Sequence, residues 1–452
     1  MDSFAAPDST RPSLTFERAA PIFLLTLVDV LGLSLILPLL HLYAARFSAT
    51  PFEIGVVMAA FPLAQLIGVP FMGALSDRFG RKPLLLISQI TTCIGFILLG
   101  AATTLPMVIF SRVLDGLFGA NLATAQAAIS DVTDDKTRAQ GLGLTGAAFG
   151  LGFIFGPLIS LVALEFTDDL AIPAYIAAGY SFVSIVITLF MFRETNPPEM
   201  RAARLAAKAN QPRTPLRGQL IVISVLLVAQ QVVFFGFETL LGLFTLSQLG
   251  LMGQGNSLIF IVVGVTLVFV QLRLIGKWSR RYGERNLAVM AMALIGVGLI
   301  LLSFTPRTPH PLYIRQIVER KLVDQNISSA EAVLGDIPID LPPDETRGLG
   351  GIVWTVIVIV PIAIGSGLIR PALNSLLTRR APPAEYGRML GISSALVSGA
   401  NAAAPLLGAY LFQQAGATFP YLVGGLMMSA LAILSVRVLQ PLPHTSGSSQ
   451  NE

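Results

Sequence analysis

Twelve apolar runs, each long enough to cross a bilayer, dominate this 452-residue sequence. A helix needs about 20 predominantly apolar residues to cover the hydrocarbon. Cutting the chain at charges and turn residues places such runs at 19-44, 52-76, 83-104, 106-130, 139-165, 171-193, 217-247, 256-276, 286-305, 349-378, 387-412 and 418-438. Only 12% of the residues are charged, about half the share of an average soluble domain, so a soluble fold of this length has too little polar surface to cover itself. Backbone groups in lipid must be satisfied within their own segment. The reading is therefore an all-α polytopic membrane protein with twelve transmembrane helices.

Several functions are excluded early. Cys93 is the only thiol, which removes disulfides and thiolate metal sites. His41, His310 and His444 are widely separated, so no metal and no cofactor is expected. The formal charge of +4 falls in short segments between apolar runs and not in one patch, which argues against nucleic acid. Residues 1-18 hold Asp2, Asp8, Arg11, Glu17 and Arg18 without an apolar core, so they do not read as a cleavable signal peptide, and the first run is expected to insert as a signal anchor.

Twelve spans put both termini on one side. The connections holding Arg78, Arg81 and Lys82, then Lys136 and Arg138, then Lys277, Arg280, Arg281 and Arg285, then Arg379, Arg380 and Arg388 share that side with the basic segment before residue 217. By the positive-inside rule it is the cytoplasm. The expected organisation is a cytoplasmic segment 1-18, a six-helix bundle 19-193, a proline-bearing cytoplasmic linker 194-216, a second six-helix bundle 217-438 and a cytoplasmic tail 439-452.

The two bundles are repeats. Gly73, Ser76, Arg78, Phe79 and Gly80 recur as Gly276, Ser279, Arg281, Tyr282 and Gly283, at an offset of 203 residues. Further on, Arg138 and Gly141 recur as Arg388 and Gly391, at an offset of 250. The growth is accounted for by one polar insertion, 306-348, on the extracytoplasmic side, with a short helix expected near Tyr313 to Val323. Two pseudo-symmetric six-helix halves of this kind are a known transporter architecture.

The run Gly73-Ala-Leu-Ser-Asp77-Arg78-Phe-Gly80-Arg81-Lys82 after the second span resembles the hallmark loop of the major facilitator superfamily. Three further motifs are similar to those of its twelve-span drug:proton antiporters, and together look most like tetracycline/proton exporters. They are Asp29-Val-Leu-Gly32 with Pro38, Arg112 with Gly116 and Gly119, and Gly152-Phe-Ile-Phe-Gly156-Pro157. Ser160-Leu161 departs from the antiporters' usual glycine pair, and the long insertion is atypical. Because no nucleophile and base pair, phosphate loop or metal spacing stands out in the spans, no enzyme is expected. The resemblance implies the major facilitator fold and cytoplasmic contacts between the halves made by Asp77 and its basic neighbours. Gly80 permits a tight turn there. The same basic residues also serve topology.

Ionisable side chains within a span cost about 2.5 to 3.5 kcal/mol on insertion scales, so they mark cavities, partners or proton paths. Asp29, Arg112, Asp115 and Glu238 are singled out on this ground. Asp29 is the leading candidate proton carrier, with Arg112 as a cation whose distance changes between states. A static pair pinning spans one and four is the competing arrangement, and Asp115, at i+3 from Arg112, can neutralise it locally. Glu238 stands among Phe234, Phe235 and Phe237. They form either an acidic, aromatic cavity wall for a cationic or amphiphilic solute, or a lipid-facing stripe with Glu238 at the outer interface. Gln231, Gln271 and Asn401 are candidate solute contacts or interhelical glue. Gly152, Gly156 and Pro157 allow close packing or a bend.

The function expected is proton-coupled efflux of a hydrophobic or amphiphilic small molecule by a monomer in a bacterial inner membrane. A metabolite symporter or facilitator of the same superfamily is the alternative. A non-transporting receptor or scaffold using 306-348 is the reading from another class.

Overall fold

The computed structural model describes residues 16–133, 138–167, 169–199, 201, 218–322, 339–379 and 386–439. The other parts of the segment 1-18, the linker, the insertion and the tail lie outside the described residues.

The first span consists of α1 (Phe16–Ile36), a 3-10 turn (Leu37–Leu39) and α2 (Leu40–Ala45). Pro38 lies in the turn and has no N–H to donate, which interrupts the helical ladder there. Then follow α3 (Pro51–Phe79), α4 (Arg81–Gly100), α5 (Leu105–Phe118), α6 (Asn121–Asp131), α7 (Arg138–Phe166) and α8 (Ala171–Phe190). The second half contains α9 (Gln219–Leu249), α10 (Gly253–Phe269), a π-helical turn (Val270–Leu274) and α11 (Ile275–Ser303). It continues through α12 (Arg315–Leu322) in the insertion, α13 (Gly350–Arg379), α14 (Tyr386–Ala415) and α15 (Phe419–Val438).

Ten helical segments of the described residues are long and apolar enough to cross a membrane. One of them, Gly253–Ser303, reverses at Gly283, whose φ of 73° and ψ of 158° are non-helical, and so contains two spans. With α7, these agree with the twelve spans expected. The repeat is visible in the backbone itself. Gly80 (φ 109°, ψ 166°) makes the same reversal between the second and third spans as Gly283 does between the eighth and ninth. Both conformations are open to glycine and strained for other residues.

The fourth span, expected as one helix, breaks between Phe118 and Asn121. Ser88 satisfies the freed groups: its hydroxyl donates to the Phe118 carbonyl at 2.6 Å and accepts from the Ala120 N–H at 3.0 Å. Close approach explains Gly152 and Gly156 of the fifth span. A Cβ at Gly156 would fall 2.0 Å from Ser34 Oγ, and one at Gly152 would fall 2.5 Å from Val30 Cγ1. The Ser34 hydroxyl donates to the Gly152 carbonyl at 2.7 Å, so α1 and α7 touch backbone to backbone. The second half repeats the device, with Gly365 against the Ala291 carbonyl and Gly425 against Ile300.

Alternation of the helices puts the Gly80 and Gly283 turns on one face of the bundle, the basic face. The insertion leaves from the opposite, far face. The expected short helix there is α12.

Candidate functional site

The Gly73–Lys82 region is held by charge inside the first half. Arg81 is buried, and its guanidinium pairs with Asp77 at 2.9 Å and Asp131 at 3.0 Å while donating to Ser76 Oγ at 3.0 Å. Glu194, which the sequence reading does not single out, accepts from the Arg81 and Lys82 N–H groups at 2.8 and 3.1 Å. A carboxylate at a helix N-terminus is favourable because it meets unpaired N–H groups and the positive end of the dipole. The Lys82 ammonium donates to the Leu189 carbonyl at 2.9 Å, and Arg78 is exposed. A cavity of about 280 Å³ opens beside this loop, lined by Val69, Gly73, Ser76, Asp77, Arg81 and Thr124. A Cβ at Gly73 would meet nothing within 4 Å, so packing does not require glycine there.

Asp29 and Arg112 do not pair. Asp29 lies sixteen residues in from Ala45 and Asn121 sixteen residues in from Leu105, whereas Arg112 lies only seven from Leu105. At 1.5 Å per residue, Arg112 is about 13 Å nearer the far face. Asp29, half-buried, instead accepts a hydrogen bond from Asn121 Nδ2 at 2.8 Å. Arg112 is closed in by its own helix and by α4: its Nη1 meets Asp115 at 3.2 Å, and its guanidinium lies 5.1 Å from the Phe96 ring centroid. Arg112 and Asp115 are both buried, and Arg112 Nη2 has no hydrogen-bond partner. Asn121 carries no charge, so nothing in the sequence marks it in the way that charge marks Asp29.

The halves meet through the far side of the bundle. Asn256 Nδ2 donates to the Pro38 carbonyl at 2.5 Å, and Gln413 Oε1 accepts from the Phe52 N–H at 2.9 Å. Gln254 Nε2 donates to the Leu164 carbonyl at 2.9 Å. Small residues close the rest: a Cβ at Gly55 would lie 2.3 Å from Ala409 Cβ, and one at Gly264 would lie 2.7 Å from the Phe153 carbonyl oxygen.

These two bundles, their twin reversals and the loop between the second and third spans agree with what the chain is similar to. It matches the Major Facilitator Superfamily over residues 22–316 and 348–452. The chain belongs to that superfamily. It is 27% identical to the tetracycline resistance protein, class B, of Escherichia coli, over 94% of this chain and 96% of the relative. It is 24% identical to multidrug resistance protein 2 of Bacillus subtilis (strain 168), over 92% and 94%. The crystal structure of the human organic anion transporter MFSD10 (TETRAN) shares the fold, with a TM-score of 0.64 at 20% identity, over 94% of this chain and 99% of that one. The gap in the superfamily match, 317–347, falls within the insertion. This superfamily member is thus a multi-pass membrane transporter of small-molecule solutes and not an enzyme.

In the transporter's second half, Gln231 Nε2 donates to Asn401 Oδ1 at 2.7 Å, which ties α9 to α14. Phe235 and Glu238 are half-buried on the same helix as Gln231. Gln271 projects from the π-helical turn, exposed beside Leu272. Arg370, within α13, satisfies the criterion that singles out Asp29 and Glu238, yet the sequence reading passes over it.

The insertion is docked on the far end of the second half. Tyr313 is fully buried against Gly250, whose φ of +64° leaves the ring room that a Cβ would occupy at 2.2 Å. The Tyr313 hydroxyl donates to the Pro342 carbonyl at 3.0 Å, Ser247 Oγ donates to the Asp340 carbonyl at 2.9 Å, and the His310 N–H donates to the Leu249 carbonyl at 3.1 Å. Burial pushes the Tyr313 hydroxyl up to about 12. Arg307 pairs with Asp340 at 2.7 Å beside a cavity of about 390 Å³. Thr50, Pro51, Gln248, Phe412 and Gln413 line the cavity as well, so it spans the junction of the halves. Neither of these two cavities is lined by Glu238, Phe235, Gln231, Gln271 or Asn401.

Proposed function

We propose that this transporter exports an amphiphilic small molecule in exchange for protons, with Asp29 as the proton carrier. The observation that carries the reading is the setting of Asp29. It is a carboxylate near the middle of the first span, half-buried, held by the Asn121 amide and, among the described residues, without an ion-pair partner. A carboxylate fixed by a neutral donor can be occupied or empty of a proton without breaking a salt bridge, whereas the Arg112–Asp115 pair is neutral as it stands. Arg112 and Asp115 then hold the fourth span on α4 and act on the proton site through position. Similarity to tetracycline and multidrug resistance proteins supports export as the direction.

In this reading the basic face is cytoplasmic and both termini lie there, in a bacterial inner membrane, and the single chain is the working unit. The far-side contacts of Asn256, Gln413 and Gln254 belong to a state closed to the outside. Solute enters between the halves from the cytoplasm, with Glu238 and Phe235 on the wall. The halves rock, and the Arg81–Asp77 cluster closes the inner side.

The test is proton movement in proteoliposomes carrying the wild type or Asp29→Asn, on addition of a panel of lipophilic cations and antibiotics. Solute-evoked proton flux in the wild type alone is the expected result. Equal solute movement in both, with no proton flux in either, replaces exchange with facilitated diffusion.

A further inference from the structure

Arg370 lies in α13 about 13 Å from the basic-face end of the helix, counted at 1.5 Å per residue. Among the described residues it has neither an ion-pair nor a hydrogen-bond partner, and it is exposed. An arginine of this kind faces lipid, water or a cavity, and the helical phase decides between them. Val353 and Ile357, 51% and 63% exposed, mark the lipid-facing stripe of α13. At about 100° per residue, Arg370 is roughly 140° around the helix from Ile357. It falls on the arc that also holds Ile359, Ala363 and Leu377, all fully buried.

The neighbours on either side fix which helices flank it. A Cβ at Gly367 would lie 2.9 Å from Val270 Cγ1 and 3.4 Å from Leu267 Cδ2, at the end of α10. Asn374 Oδ1 accepts from Ser393 Oγ of α14 at 3.1 Å. Arg370 therefore opens onto space inside the bundle, between α10 and α14, at a level where the rest of its arc is packed.

Guanidinium stays charged at every physiological pH and offers five donors in a planar fork that matches a carboxylate two bonds at a time. A guanidinium within a span that has no partner and opens onto space inside the bundle is a standing demand for a counter-ion. Glu238 does not meet that demand. It lies eleven residues in from the far end of α9, against twenty for Arg370 in α13, so the two are about 13 Å apart in depth alone.

We infer that Arg370 is an anion-binding residue of the solute cavity, and that the transported class includes amphiphiles bearing a carboxylate. The inference rests on the export reading for the existence of that cavity.

The experiment uses the full chain in proteoliposomes and three probes sharing one naphthalene body, with a carboxylate, a neutral carboxamide or a trimethylammonium group. Half-saturation is measured for each with the wild type, Arg370→Gln and Arg370→Lys. The expected result is that Arg370→Gln weakens the carboxylate probe about ten-fold, the scale of a lost charge-assisted contact. The other two probes stay within two-fold, and Arg370→Lys recovers part of the loss. Equal weakening of all three probes, or an unchanged carboxylate-to-carboxamide ratio, overturns the inference and leaves Arg370 a structural or topological residue. If the wild type carries the neutral and cationic probes but not the carboxylate, this inference fails and export stands. If it carries none of the three, both readings fail.

Discussion

His41 of α2 lies so close to Gly242 of α9 that a Cβ on the glycine would fall 2.4 Å from His41 Nδ1 and 2.8 Å from Asn256 Nδ2. The two residues belong to different halves, and His41 is buried with no hydrogen-bond partner on Nε2. In the export reading, contact at this spot belongs to the state closed to the outside. Gly242→Ala is expected to wedge it open, because Asn256 is held on the Pro38 carbonyl and cannot move aside. In a Cys93→Ser background, a cysteine placed at buried Leu42 should react several-fold faster with an impermeant maleimide in Gly242→Ala than without it. Equal rates contradict the seal.

Arg81→Ala removes the cation that pairs at 3.0 Å with Asp131, whose side chain is 3% exposed. Breaking a buried pair by removing one partner costs on the order of 3 kcal/mol or more. The variant should melt well below the wild type in detergent, and Arg81→Lys, which keeps the charge without the fork to Ser76, Asp77 and Asp131, should fall between them. A wild-type melting curve for Arg81→Ala contradicts a structural role for the cluster.

Tyr313 anchors the insertion through a fully buried ring. Tyr313→Ala removes a fully buried ring, about 3 to 5 kcal/mol by analogy with other buried aromatics. Tyr313→Phe removes one hydrogen bond to Pro342, about 1 kcal/mol. Limited trypsinolysis at Arg315, Arg320 and Lys321 should therefore accelerate strongly in the first and slightly in the second. Gly250→Ala should act like Tyr313→Ala, since the ring and the positive φ both exclude a side chain.

Acid should loosen the same anchor. The Arg347 guanidinium, followed by the Arg315 N–H, holds the Asp344 carboxyl below its ordinary range. Burial, with the Arg347 charge, holds His310 below its ordinary value of 6.5. Both groups have folded values depressed relative to the free chain, so each contributes stability that is fully present above its ordinary value and lost as pH falls through the folded one. The loss begins below about 6.5 with His310 and continues below the carboxylate range with Asp344. Hydrogen exchange across 307–322 should rise as pH falls, after correction for intrinsic rates, and Asp344→Asn together with His310→Gln should flatten the response.

The spans were legible because length and hydropathy in lipid leave the backbone no alternative to helix, and the repeat was legible because Gly80 and Gly283 must be glycine for the same reason. What the sequence hides is depth. Asp29 and Arg112 each announce themselves by charge, but only residue counts from the observed helix ends show that Asn121 stands level with Asp29 and Arg112 does not. Neutral partners such as Asn121 and Asn256 give no warning in a span, because an amide reads as ordinary interhelical glue. Gln271 is harder to place for a different reason: the π turn rotates that part of the eighth span, so its face does not follow from regular 3.6-residue phasing.

The described parts of the insertion attach to α9 and the ends of α11 and α13, all in one half. An antibody fragment or fluorophore fixed to that lobe, away from Thr50 and Gln413, would ride with a single body through every stage of turnover. It would serve as a fiducial for imaging and distance measurement without arresting the machine it reports on.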